Sequence, residues 1–164
     1  MVIVPLVCIS VALAAAAAES SLTADQALKI LMDGNARFVT GDAAHPTQSQ
    51  ERLAETVSAQ HPIAAIVSCS DSRVSPEIVF DQGVGDIFIV RTAGEVMDDA
   101  ALGSLEYAVE HLGVPLVVVI GHDGCGAVNA AVKGGEAPGH ISALVDAITP
   151  SVEKAKANGG MPIF

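Results

Sequence analysis

Two short stretches of this 164-residue chain carry side chains whose types and spacing suit chemistry. One is Cys69-Ser70-Asp71-Ser72-Arg73, and the other is His122-Asp123-Gly124-Cys125. Two thiols and one imidazole make a donor set suited to zinc. His122 and Cys125 are close enough in sequence to hold one ion across a tight turn, and Gly121, Gly124 and Gly126 let the backbone crowd in there. Three protein ligands leave one tetrahedral position open, as catalytic zinc requires, and such an ion lowers the pKa of a bound water to about 7. Asp71, two residues from Cys69, can accept a hydrogen bond from that water or serve as a fourth ligand in a closed state. Arg73 can orient the Asp71 carboxylate through a bidentate pair. Each half of the pattern alone is weakly specific. Cys69 and Cys125 also read as buried structural thiols or as a disulfide, His122 as a core histidine, and Asp71 with Arg73 as an ordinary loop ion pair.

These groups can cooperate only if the elements beneath them bring them together. Three continuous apolar runs, Ile63–Ser68, Ile87–Val90 and Leu116–Ile120, read as strands buried on both faces, the signature of a parallel sheet. A helical stretch over about 100–112 separates the second run from the third, with Leu102, Leu105, Ala108, Val109 and Leu112 expected inward. Strand, helix, strand indicates βαβ units with right-handed crossovers. The first motif follows the first strand directly, and the second follows the third. Sites in open α/β sheets form beyond the carboxyl ends of the strands, so both motifs meet there if those two strands are neighbours.

Further helices are expected over 22–39, from Pro46 to about Ala59, over 125–132 and over 142–157. The first has a capping box at Thr23 and Gln26, ends at Gly41, and turns Leu22, Ala27, Ile30, Leu31 and Phe38 inward. The fold class is therefore α/β: a parallel β-sheet core flanked by helices, with an N-terminal helical arm.

The length suits one domain. Apolar residues make up 51% and aromatics 3%, with no Trp, so the core must be built from Val, Ile, Leu and Ala. Net charge is −11 and pI about 4.6, with no basic run. Nucleic acid is excluded as a partner, because its binding requires a positive surface. Residues 1–18, MVIVPLVCISVALAAAAA, read as a secretory signal peptide, although no Lys or Arg precedes the apolar run. That divides the chain into a signal at 1–18 and a domain at 19–164, exported to the periplasm or secreted. A misassigned start would leave it cytoplasmic. No other apolar run approaches membrane-spanning length, so no stable membrane span is expected in the mature form.

CSDSRVSPE, GDIFIVRTAG and SLEYAVEHLGVPLVVVIGHDGCGAV together resemble the β-class carbonic anhydrases, and LTADQALKILMDGNARFVTG is similar to that family's N-terminal arm. The resemblance runs from about Leu22 to the end. It implies one Zn2+ per chain held by Cys69, His122 and Cys125, and an Asp71–Arg73 dyad governing the fourth position. It implies reversible hydration of carbon dioxide to bicarbonate and a proton, by attack of zinc-bound hydroxide on CO2. It also implies a homodimer or higher homo-oligomer whose pocket uses side chains of both subunits. On the same resemblance Gln60 orients substrate, Phe88 and Tyr107 line the pocket, and the Gly126 N–H meets a bound anion. Phe88 and Tyr107 read equally well as core packing. Arg91 falls where one branch of the family has a regulatory bicarbonate site; Ile66 replaces that site's Trp, so the site is expected to be absent. The family continues past this point with a further strand and C-terminal helices, so the domain is expected to be incomplete at its C-terminus. Three other functions fit parts of the pattern: hydrolysis of carbon disulfide, a structural zinc module, and thiol redox chemistry. The last leaves His122, Asp71 and Arg73 unexplained.

Overall fold

The structure is a computed structural model that describes residues 22–160; the expected signal segment and Met161–Phe164 lie outside them. Element order is α1 (Ala24–Thr40), α2 (Gln50–Glu55), β1 (Ala64–Cys69), α3 (Pro76–Val79), β2 (Ile87–Thr92), a 3-10 turn (Ala93–Glu95), α4 (Asp99–Glu110), β3 (Val117–Ile120), α5 (Gly126–Lys133) and α6 (Ile141–Ala157). Among the described residues the sheet has three strands in the order β2-β1-β3, both pairings parallel. β1 is central and every one of its residues is buried. That is why its sequence is a continuous small-and-branched apolar run rather than an alternation.

Helices cover both faces of β1. On one face Leu31 of α1 meets Ala64, Ile66 and Phe80, with Leu116, Val118 and Ile120 against them. On the other, Ala65, Ala108 and Val114 pack together with Phe88, Leu105 and Leu112. A third cluster of Ala131, Ile148 and Val152 joins α5 and α6 to Val96, just after the 3-10 turn. The α/β class, the three strands and the five expected helical regions occur in the expected order; the short α3 and the 3-10 turn are additional.

Several details differ from expectation. The helix expected from Pro46 to about Ala59 is shortened to α2, whose N-cap Ser49 accepts from the Arg52 N–H. The preceding residues are committed elsewhere. His45 and Thr47 take left-handed backbone conformations with φ of 49° and 53°. The Ala44 and His45 N–H groups both donate to the Asp81 carboxylate at 2.9 Å, and the Thr47 hydroxyl donates to Asp86. Ile30 and Phe38 on α1, and Leu102 and Val109 on α4, were expected inward but are exposed. Each helix is buried along a narrow stripe: Ala27, Leu31 and Gly34 on α1, with Gly34 against the Phe80 backbone, and Leu105 and Ala108 on α4 with Leu112 just beyond it. The capping box at Thr23 and Gln26 is formed, and Gly41 closes α1 at φ 78°.

Gly34 sets how closely α1 approaches. A Cβ there would lie 1.8 Å from the Phe80 carbonyl oxygen, a backbone atom that cannot yield. Gly34→Ala is expected to destabilise the fold by about 2 kcal/mol or more. Gly103→Ala, in α4 with nothing within 4 Å of the added Cβ, is expected to stabilise it by about 0.5–1 kcal/mol. Urea unfolding midpoints of the two variants should therefore move in opposite directions.

Asp81 is a second anchor. Its buried carboxylate accepts from Ala44 and His45 N–H and from Arg37 Nε at 2.6 Å. The Ala44 N–H, then the Arg37 side chain, hold its pKa down to about 2. The unfolded value is about 3.9. The folded group thus contributes stability that is complete above about pH 4 and is lost as pH falls toward 2. Thermal unfolding followed between pH 5 and 2 should show this loss, and Asp81→Asn should flatten the profile in that window while lowering stability above it.

Candidate metal centre

β1 delivers Cys69 as its last residue, and β3 ends at Ile120 directly before the turn that carries His122 and Cys125. Because β1 and β3 are paired with Ser68 beside Ile120, the two motifs emerge side by side. Gly124, at φ 67°, turns the chain sharply enough to bring Cys125 back as the N-cap of α5. One donor atom each from Cys69, His122 and Cys125 lie within 4.8 Å of one another. Cys69 and Cys125 are buried free thiols with sulfurs 3.9 Å apart, about twice a disulfide bond length. The disulfide reading is therefore set aside.

The geometry of the cluster suits a set of metal ligands. His122 Nδ1 lies 3.0 Å from the Asp123 carbonyl oxygen. When Nδ1–H donates there, the Nε2 lone pair is free, the arrangement that orients histidine ligands. Nε2 is buried and has no hydrogen-bond partner. An orphaned imidazole nitrogen beside two converging sulfurs costs stability unless something binds it.

The electrostatics differ between the two thiols. Burial pushes the Cys69 thiol up, but the Gly94 N–H, 3.3 Å from its sulfur, and the His122 side chain outweigh that and lower it. Burial pushes the Cys125 thiol up, and the Val128 and Ala127 N–H groups offset this incompletely. His122 is raised, chiefly by the neighbouring Cys69 side chain, against the opposing effect of burial. Of the two thiols, therefore, Cys69 ionises the more readily; a bound cation would displace the protons from all three donors.

Asp71 borders the cluster, with Oδ2 3.8 Å from His122 Nε2. Arg73 grips the carboxylate from the far side. Its backbone N–H and Nε donate to Oδ1 at 3.0 and 2.8 Å, and Nη2 donates to Oδ2 at 2.7 Å. These Arg73 hydrogen bonds hold the Asp71 carboxyl well below the usual carboxylate range, and Arg73 is raised in turn.

The structure thus assembles Cys69, His122, Cys125, Asp71 and Arg73, with Gly126 opening α5 next to Cys125. It does not bring Gln60, Phe88 or Tyr107 to them. Gln60 is exposed, four residues before β1 begins. Phe88 pairs in register with Ala65, four residues or roughly 13 Å down the strand from Cys69. Tyr107 on α4 stacks at 6.4 Å against Phe88 and at 5.3 Å against His111. These three residues lie toward the other end of the sheet. Near the cluster are two groups to which the sequence reading gave no role there. Arg91 donates to the carbonyls of Cys69 and Asp71. Glu95 has one buried carboxylate oxygen without a partner, and burial raises its pKa. No spacing signal marks either one, because both act through tertiary neighbours.

A parallel sheet with a Cys–His–Cys cluster at its carboxyl edge defines a metal-site α/β protein, and comparison with known proteins names the family. The family model described as carbonic anhydrase matches residues 64–161. A carbonic anhydrase of Mycolicibacterium smegmatis is 56% identical over 130 residues, covering 77% of this chain. Carbonic anhydrase 2 of Mycobacterium tuberculosis is 52% identical over 137 residues, covering 81%. The chain spans 63% of the length of the first and 66% of the second. Among solved structures, a Coccomyxa β-carbonic anhydrase in complex with acetazolamide superposes with a TM-score of 0.61 at 26% identity, over 80% of this chain and 60% of that one. The β-carbonic anhydrase CafA of Aspergillus fumigatus does so with a TM-score of 0.60 at 28% identity, over 80% of this chain and 62% of that one. The chain belongs to the carbonic anhydrase family, in its β class.

Co2+ added to the metal-free protein is expected to give thiolate-to-metal charge-transfer absorption and to raise the melting temperature. Cys69→Ser, Cys125→Ser and His122→Ala should each remove most of both effects at equimolar metal.

Proposed function

We propose that this chain is the catalytic portion of a zinc-dependent carbonic anhydrase, which reversibly hydrates carbon dioxide to bicarbonate and a proton. The observation that carries this reading is the orphaned Nε2 of His122, set between two thiols and faced by the anchored Asp71 carboxylate. Two thiolates and an imidazole suit zinc, and three ligands suit a catalytic rather than a structural ion. Zinc so held supplies Lewis acidity that makes a water nucleophilic near neutral pH.

The chain's own residues do the rest. Cys69, His122 and Cys125 fix where the reacting water sits. Asp71 Oδ2 accepts a hydrogen bond from that water and turns its lone pair toward the incoming carbon. Arg73 keeps Asp71 ionised, so that the carboxylate orients the water and does not take up its proton. Gln60, Phe88 and Tyr107 lie too far along the sheet to serve the cluster of their own chain. A homodimer in which a second copy supplies them completes the pocket: the Gln60 amide donates to a CO2 oxygen as negative charge builds on it, and the two rings provide an apolar wall. The Gly126 N–H meets the product anion. Gln60 is solvent-exposed in the isolated chain, which is compatible with such a contact. No helix among the described residues is long and apolar enough to cross a membrane. Export of the domain, directed by residues 1–18, belongs to the same reading.

Metal analysis and stopped-flow CO2 hydration on purified protein test it together. About one zinc per chain is expected, with hydration blocked by azide. Asp71→Asn should lower kcat/KM roughly 100-fold while zinc content stays the same. Zinc without hydration would reduce the chain to a metal-binding module, and absence of zinc would overturn the reading.

A further inference from the structure

The end of β2 lies beside the cluster and holds the ligand loop by its main chain. Arg91 Nε donates to the Cys69 carbonyl at 2.8 Å, and Arg91 Nη2 donates to the Asp71 carbonyl at 2.6 Å. Between those two carbonyls, the Ser70 N–H donates to the Thr92 carbonyl at 3.0 Å. The Gly94 N–H reaches the Cys69 sulfur at 3.3 Å. A ligand and the carboxylate residue next to it are thus both braced from one neighbouring strand.

Arg73 cannot do this. It shares the loop with Asp71, so their ion pair fixes the carboxylate relative to the loop but not the loop relative to the cluster. Arg91 stands on a strand hydrogen-bonded to β1 along its whole length, in register from Ala64 beside Ile87 to Cys69 beside Thr92. It therefore supplies a fixed reference. A guanidinium is suited to the task because its planar fork spans two acceptors at once, whereas an ammonium is a point donor on a flexible stem.

We propose that Arg91 is a positioning residue of the metal centre: its guanidinium bridges the Cys69 and Asp71 carbonyls, keeps the Cys69 sulfur in place as a ligand, and holds the Asp71 carboxylate back from the fourth coordination position. This rests on the metal-centre reading above. Without the bridge the Cys69 carbonyl loses the Arg91 donor and the Asp71 carbonyl keeps only the Val74 N–H of its own loop, the loop loosens, and the Asp71 carboxylate is free to move onto the cation and close the site.

Arg91→Gln and Arg91→Lys test it in two measurements. In the metal-free protein, amide hydrogen exchange at Ser70 should quicken at least about tenfold in Arg91→Gln, while the amides of Ala65 and Ile66 in β1 stay as protected as in the wild type. In the Co2+-loaded protein, the wild-type visible spectrum should shift on titration with azide. Arg91→Gln should bind Co2+ roughly 10–100-fold more weakly and lose the azide response. Arg91→Lys should fall between, and Asp71→Asn added to Arg91→Gln should restore the azide response. Wild-type exchange at Ser70 with wild-type Co2+ affinity and azide response in Arg91→Gln overturns the proposal. So does faster exchange spread evenly over β1 with an unchanged azide response, since that is the mark of a merely stabilising residue. Failure of the wild type itself to bind Co2+ overturns the metal-centre reading, and this proposal with it.

Discussion

The parallel pairing of β1 with β3 is the constraint on which the site depends. It sets Ser68 beside Ile120, so the residues that follow each strand emerge at the same edge of the sheet. No side chain in the cluster has to search for its partners, because main-chain register has already placed them. The surrounding helices serve that register. Leu31 and Phe80 on one face and Ala108 and Val114 on the other bury β1 completely, and burial on both faces leaves its position no freedom to slip. Gly34 lets α1 lie against the Phe80 backbone closely enough to seal the first face.

The local arrangement at the carboxyl edge runs against stability. Two thiols and an imidazole nitrogen are buried together, and the nitrogen has no partner. A core built for stability alone would place apolar side chains there. The unfavourable set is held by groups that act on backbone as much as on side chains: the Gly94 N–H on the Cys69 sulfur, the α5 N–H groups toward Cys125, and Arg91 on the loop carbonyls. Asp71 and Arg73 form the most exposed part of the assembly, with Arg73 reaching toward solvent. The ion pair there orients a carboxylate more than it stabilises the fold.

Much of this was legible in the sequence. Continuous apolar runs marked the three strands, because buried parallel strands have no polar face to interrupt them. The donors could be assigned to strand ends for the same reason. What could not be read were the consequences of contacts distant in the chain. Asp81 draws in the N–H groups of Ala44 and His45 from 37 and 36 residues away, and that contact delays the start of α2 to Gln50. Phe38 follows the helical period of α1 but lies off the narrow buried stripe of Ala27, Leu31 and Gly34. Arg91 could be aligned with a family position, yet its partners are main-chain carbonyls that carry no sequence signature. Gln60, Phe88 and Tyr107 fall at the expected positions along the chain and at the far end of the sheet, where one chain alone makes no pocket of them.

The separation of the donors along the chain has a kinetic side. Cys69 and Cys125 are 56 residues apart, and α4 and β3 fold between them. Loop closure of that length is entropically costly until the strands pair, and parallel pairing is slow for the same reason. In the unfolded chain only the short His122–Cys125 pair can hold an ion, and weakly. The complete set arises late, when the β1–β3 ladder closes. An ion held there would therefore add little to the early search for the fold and would instead lock its final step, so that its principal effect on the protein's lifetime would be to slow unfolding and not to speed folding.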